Sequence, residues 1–298
     1  MPDEEDCMTA LPDVPGLSLD HWHGQPLLRI ATPACTAAVS LFGGQLLSFV
    51  PAGQQDLLWL SPLAKAPPVP IRGGVPVCWP WFGRQDQPDT VPAHGLARTA
   101  VWTVAAAECR DEAVHLVLDA PAFPGWPLAL RMELQLGRAL EQRLVTVNRG
   151  AAPVRVSQAL HSYFRVGDAL QVDVQGVDGL EYLDKFEGYA HRHRQHGDWN
   201  LRDAHDPGRS DRIYLGAAGR YVLRDPILGR CIALATAGSH SLVAWNPGET
   251  GAAAMADVGS GWRSYVCLEA ANAGPDAIVL ASGTHHVLAQ RIELQPLA

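Results

Sequence analysis

Apolar and polar side chains trade places at every second position along much of this chain, a rhythm that suits β-strands and little else. Leu128, Leu130, Met132, Leu134 and Leu136 alternate with Ala129, Arg131, Glu133 and Gln135. That period of two gives a strand one apolar face. Gly137 then opens a turn, and Leu144-Val145-Thr146-Val147 takes up the next strand, which predicts a hairpin. Residues 114–118, 154–166, 220–224, 231–236, 241–245 and 264–268 read the same way. No window keeps helical periodicity beyond about two turns. The 28 glycines and 23 prolines cut the chain into short pieces. Strand following strand without helices between them predicts antiparallel all-β packing rather than βαβ units. No repeat of the solenoid kind is present, and no linker divides the chain. One β domain is expected over residues 17–298, after an acidic tail over 1–16 that carries Pro2, Pro12 and Pro15.

Charge removes several classes of partner. The formal net charge of −8 opposes nucleic-acid or anionic-membrane binding, both of which need surplus positive charge. No apolar run approaches the roughly 20 residues of a membrane span. The start Met1-Pro2-Asp3-Glu4-Glu5-Asp6 is acidic, the reverse of a secretory signal, so a cytoplasmic protein is expected. Cys7, Cys35, Cys78, Cys109, Cys231 and Cys267 are scattered with no Cys-x-x-Cys, which reads as free thiols rather than a disulfide frame or zinc knuckle. His191, His193 and His196 alternate with Arg192 and Arg194; the arginines repel a cation, and no metal is expected there. Only two of the 23 basic residues are lysines, Lys65 and Lys185, so an anion site here would be built from guanidinium groups.

Two irregular stretches interrupt the strands: a proline-rich one from Ser61 to Thr99, and a polar one from Glu187 to Ser210. Long loops in a compact domain are commonly functional. The first holds Ile71-Arg72-Gly73-Gly74-Val75-Pro76 and then Trp79-Pro80-Trp81-Phe82-Gly83-Arg84, followed by His94-Gly95-Leu96-Ala97-Arg98. Its aromatics offer flat faces for a sugar ring and its arginines offer charge. The plain alternative is a loop with its own aromatic core and surface arginines. On the strand Gln158 to Arg165, the apolar face takes Leu160 and Phe164, which sends His161 to the other face with Ala159 and Tyr163. Glu269 closes the apolar run Tyr265-Val266-Cys267-Leu268. It either reaches solvent at a strand end or lies buried at the cost of a pairing or a raised pKa. Asp257 shares that ambiguity, and Asp211 stands at the end of the polar loop. Neither the phosphate-loop, dinucleotide, zinc-protease nor esterase signature occurs.

In order along the chain, these segments resemble the hexose-6-phosphate mutarotases, a branch of the aldose 1-epimerase superfamily. The resemblance rests on Arg72-Gly73-Gly74-x-Pro76, Pro80-Trp81-Phe82-Gly83, His94-Gly95-Leu96-Ala97-Arg98 and Leu160-His161-Ser162-Tyr163-Phe164. Leu183-Asp184-Lys185, Asp211-Arg212-Ile213-Tyr214, Val243-Ala244-Trp245-Asn246-Pro247 and Cys267-Leu268-Glu269 extend it. It implies a single-domain antiparallel β-supersandwich of the galactose mutarotase type. It also implies interconversion of the α and β anomers of a hexose 6-phosphate without cofactor or metal, by a monomer whose partner is that substrate. By position, His161 corresponds to the acid that protonates the ring oxygen and Glu269 to the base at the anomeric hydroxyl, on opposite sides of the acetal. Arg72 and Arg98 correspond to the phosphate cradle, and His94, Asp211 and Asp257 to groups that bind hydroxyls or orient the pair. The chain departs from the pattern at Ala93, where a polar residue such as Gln is expected, which removes one polar contact. Two other functions stay open at this point: epimerisation of unphosphorylated aldoses, and sugar binding by a non-catalytic sandwich. A pure binder has no need of both His161 and Glu269.

Overall fold

The computed structural model describes residues 11–217 and 219–297. Its two large sheets are antiparallel throughout. The first has eight strands in the order Asp173–Gln175, Arg220–Asp225, Arg230–Ala237, His285–Pro296, Leu140–Asn148, Leu128–Leu136, Ala113–Asp119 and Thr103–Arg110. The expected hairpin is there, with Leu128 opposite Asn148 and Leu136 opposite Leu140. The second sheet has seven strands in the order Arg192–Arg194, Glu181–Asp184, Ser210–Leu215, Ser241–Asn246, Tyr265–Asn272, Gln158–Arg165 and Val77–Cys78. A four-stranded meander over residues 17–51 and a two-stranded ribbon complete the set. The one α-helix among the described residues, Gly248–Ala253, has six residues. No helix among the described residues is long and apolar enough to cross a membrane.

The period-two pattern has its cause in the core between the sheets. Leu130, Met132, Leu134 and Leu144 of the first sheet join Leu160, Phe164, Leu268 and Ala270 of the second in one buried cluster. Burying a side chain of this size is worth about 1.5–3 kcal/mol. Polar residues that enter this layer are paired across it, as buried polar groups must be. Ser162 donates to Gln290 at 3.0 Å, and Thr146 donates to Gln158 at 3.1 Å while accepting from the Trp79 indole at 3.0 Å.

The central strands Gln158–Arg165 and Tyr265–Asn272 are buried on both faces. One face joins the inter-sheet core. The other, which holds Ala159, His161 and Tyr163, is roofed by the Ser61–Thr99 loop and by residues 183–189 and 245–262. The roof and the sheet enclose the site.

Residues 1–10 of the expected tail lie outside the described residues. Residues 11–16 are docked rather than loose: Leu11 packs on the core, Val14 is buried, and its carbonyl accepts from Leu17 N–H at 3.0 Å. Cys35, Cys78, Cys231 and Cys267 are buried free thiols and Cys109 is an exposed one; Cys7 falls outside the described residues.

Candidate active site

A cavity of about 940 Å³ opens on the outer face of the seven-stranded sheet. Arg72, His94, Arg98, His161, Asp211 and Glu269 all line it. Its size is at the upper end of what encloses a small organic ligand.

His161 and Glu269 face each other across neighbouring strands, in direct register. Residues opposite one another in an antiparallel pair lie only about 4.5–5.5 Å apart at Cα, so the ladder itself brings the side chains together. Nδ1 of His161 is 3.3 Å from Oε1 of Glu269. The two are not aligned as a hydrogen bond, and His161 Nδ1 and Glu269 Oε2 are both buried without a partner. The pair therefore stands side by side, where opposite flanks were expected. Glu269 lies within its strand and is 1% exposed, which decides between the two readings of the sequence in favour of the buried one.

Burial decides the charge of both groups. It holds the His161 imidazole well below its ordinary value of 6.5, with the positive charges of Arg72 and Arg98 adding to the effect. It lifts the Glu269 carboxyl well above 4.5, helped by Asp211 and opposed by Lys185. The neutral form of each is favoured: an unprotonated imidazole beside a protonated carboxyl. Uncompensated charge is costly at such depth.

His94 reaches the cavity from a strained turn. Its φ of +65° is a left-handed conformation that costs a residue with a side chain about 1–2 kcal/mol. Three hydrogen bonds hold it: His94 N–H to Gly83 O at 2.6 Å, Trp79 N–H to His94 O at 3.3 Å, and Gly83 N–H to the ring Nδ1 at 3.3 Å. Because Nδ1 accepts, the ring hydrogen sits on Nε2. Gly95 follows at φ +75°, and a Cβ there would stand 2.0 Å from the Trp79 carbonyl oxygen; only glycine fits.

The arginines are held differently. Arg72 donates from Nε to Asp257 at 3.0 Å and from Nη1 to the Tyr163 hydroxyl at 3.0 Å. Asp257 itself does not line the cavity. Its carboxylate fixes Arg72 from behind, a departure from a direct role at the sugar. Arg98 has no carboxylate within ion-pair distance among the described residues. Its Nη2 donates to Ala93 O at 2.6 Å, and its Nε is buried without a partner. The Ala93 position thus contributes its backbone where a longer polar side chain was expected. Asp211 forms an ion pair with Lys185 at 3.1 Å, and burial outweighs that lysine to raise its pKa.

Several expectations for the aromatics change. Trp79 is wholly buried in the core, and Trp81 is buried against Trp126; of the three, Phe82 alone lines the cavity. The apolar walls come from Phe82, Trp245, Phe186 and Tyr189. Lys185 and Trp245 belong to the site, and their only signal in the sequence was membership of the ordered motif set. Of the histidines in the polar loop, His193 and His205 come together with Glu187, whereas His191 and His196 are not part of that group.

The sequence model of the aldose 1-epimerase family matches residues 26–293. A protein of Escherichia coli K12 provisionally named glucose-6-phosphate 1-epimerase is 34% identical over 278 residues, 90% of each chain. A relative from the grass Cenchrus ciliaris with the same provisional name is 29% identical, covering 80% of this chain and 75% of its own. Among solved structures, a provisionally assigned mutarotase of Salmonella typhimurium superposes with a TM-score of 0.86 at 30% identity, covering 95% of both chains. A galactose mutarotase-like protein of Clostridium acetobutylicum, at 12% identity, shares the fold with a TM-score of 0.70 over 94% of this chain and 98% of its own. With the match running across nearly every strand and both sides of the cavity, the chain belongs to the aldose 1-epimerase family.

Proposed function

We propose that this protein interconverts the α and β anomers of hexose 6-phosphates, with His161 and Glu269 as the proton-transfer pair. The observation that carries the reading is the pair itself: one imidazole and one carboxyl, 3.3 Å apart, buried, incompletely bonded and open to one cavity. Ring opening needs a proton delivered to the ring oxygen and one removed from the anomeric hydroxyl. Those two oxygens share one carbon, so adjacent groups suit them better than flanking ones. His161 serves the ring oxygen and Glu269 the hydroxyl. Between them they hold one proton, and at rest it lies on Glu269. Transfer to His161 prepares the pair for opening. The aldehyde then turns about C1–C2 and recloses on its other face, with each group reversing its part. Nothing is oxidised, and the pair ends with the proton it began with. Positioned proton transfer of this kind contributes roughly 10²–10⁴ in rate per group.

Phosphate specificity rests on Arg98 and Arg72. A sugar phosphate brings about two negative charges at neutral pH, and Arg98 is a half-buried guanidinium with no carboxylate partner among the described residues. Arg72, already turned by Asp257 and Tyr163, supplies the second fork. Hydrogen bonds to charged groups are the strong ones, so the phosphate end anchors the ring over the pair.

The test is exchange NMR between the anomers of glucose 6-phosphate, with free glucose and galactose as controls. Acceleration confined to the phosphorylated sugar, falling about 10²–10⁴-fold in His161→Ala and in Glu269→Gln, is the expected result. Equal acceleration of free sugars would assign the protein to unphosphorylated aldoses. Saturable binding with no acceleration would leave a sugar-binding sandwich.

A further inference from the structure

We propose that Glu187, His193 and His205 form a binding site for a divalent cation of the zinc class, outside the reaction cavity. One ligand atom from each lies within 4.8 Å of the others. Nε2 of His193 is 2.8 Å from Glu187 Oε2, and Nε2 of His205 is 3.4 Å from Glu187 Oε1. A tetrahedral zinc centre with ligands at about 2.0–2.1 Å has edges between ligands of about 3.3–3.4 Å. The two imidazoles thus contact one oxygen each of the same carboxylate, and small side-chain shifts bring one atom of each residue to the corners of that figure.

Three separate segments supply them: the turn Lys185–Glu187, the strand Arg192–Arg194 and the loop before Ser210. The turn is fixed by Asp184, whose carboxylate accepts from Phe186 N–H at 2.7 Å. The other oxygen of Asp184 is 3.2 Å from His205 Nε2, which adds a second carboxylate beside the imidazoles without joining the first three ligands. That contact is to the same nitrogen that would hold the cation, so a bound cation either displaces it or takes Asp184 as a further ligand. A separate polar cavity of about 580 Å³, lined by His193 and His205 together with Asp198 and Asp203, gives the cation an entry and leaves room for water at the fourth corner.

The flanking arginines do not stand in the way. Strand alternation sets Arg192 and Arg194 on the face opposite His193, and both lie within ion-pair distance of Glu181, although Arg194 also borders the polar cavity. Arg212 is engaged by Asp203 and Asp206, and Lys185 by Asp211. These positive charges are thus engaged by acids other than the three proposed ligands, Arg192 and Arg194 sharing Glu181. The ligands also tie down the turn whose neighbours Lys185, Phe186 and Tyr189 wall the reaction cavity, so a bound cation would clamp that wall from behind.

Calorimetric titration of chelator-treated, desalted protein with zinc chloride tests the site. Cobalt(II) absorption gives a second reading, since tetrahedral coordination intensifies its visible bands. The expected result is one equivalent bound, with affinity lowered at least tenfold in His193→Ala, His205→Ala and Glu187→Gln and unchanged in His191→Ala and His196→Ala. Glu187 lies on a half-exposed turn, so its variant reports even if a histidine variant fails to fold. Absence of saturable binding overturns the proposal. So does binding that survives the Glu187 and His205 substitutions, or binding lost with His191 or His196 instead.

Discussion

His161 and Glu269 are held neutral by the same burial that brings them together, and this fixes how the pair answers pH. Lowering pH adds a second proton to the pair, on His161, and that limb falls below the ordinary histidine value of 6.5 because the imidazole is pushed down. Raising pH strips the single proton from Glu269, and that limb lies above the ordinary carboxyl value of 4.5 because the carboxyl is pushed up. kcat for anomer exchange should therefore show an acid limb below 6.5 and an alkaline limb above 4.5 that belong to the pair as a unit. Glu269→Gln, measured by its residual rate, should lose the alkaline limb and keep the acid one. Arg98 acts on a different quantity. Arg98→Ala should raise KM for hexose 6-phosphate about ten- to a hundredfold, the worth of a hydrogen bond to a charged group, and leave free-sugar turnover alone. An equal effect on both sugars in the same exchange assay would remove Arg98 from phosphate recognition.

The strands could be read from the sequence because period two is a local property: Leu128 to Leu136 carries its own signature. The face of His161 could be read for the same reason. What could not be read is the register that sets Glu269 opposite it, since pairing between residues over a hundred positions apart leaves no local trace. Loop aromatics misled for a related cause. Trp79 and Trp81 look like a platform by composition, yet the loop folds inward and spends them on packing, while Trp245 arrives from a distant strand. Asp257 was visible as a carboxylate near the site but not as the anchor of Arg72. Within the loop, Gly95 is the position with least latitude. Gly95→Ala must resolve a 2.0 Å approach to the Trp79 carbonyl at φ +75°, and should cost at least about 1–2 kcal/mol. Urea unfolding measures that cost, and a rise in KM should accompany it as His94 moves. An unchanged midpoint would mean the turn relaxes freely.

For the molecule as a whole, the site is a burden on stability. The carboxyl of Glu269 has a higher pKa folded than unfolded, so the folded state holds a proton that the unfolded state releases. The contribution of Glu269 to stability is then undiminished below about pH 4.5 and drains away as pH rises toward the folded value. Glu269→Gln removes that loss. Its Tm should exceed that of the parent protein by a margin that widens with pH above 4.5, as seen by calorimetry over a pH series. A constant margin would mean that the carboxyl does not titrate between the two states. Gains of this kind at the expense of activity are a recurrent trade in enzymes.

The ladder that seats His161 opposite Glu269 has a last consequence, for heat. Chemistry set by the rungs of a central sheet cannot fray ahead of the sheet, whereas the two arginines proposed to hold the phosphate sit on the proline-rich loop outside it. On warming, discrimination in favour of the phosphorylated sugar should fade first. The bare capacity to swap anomers should persist until the sandwich itself comes apart, its decay tracing the same curve as the loss of tertiary signal.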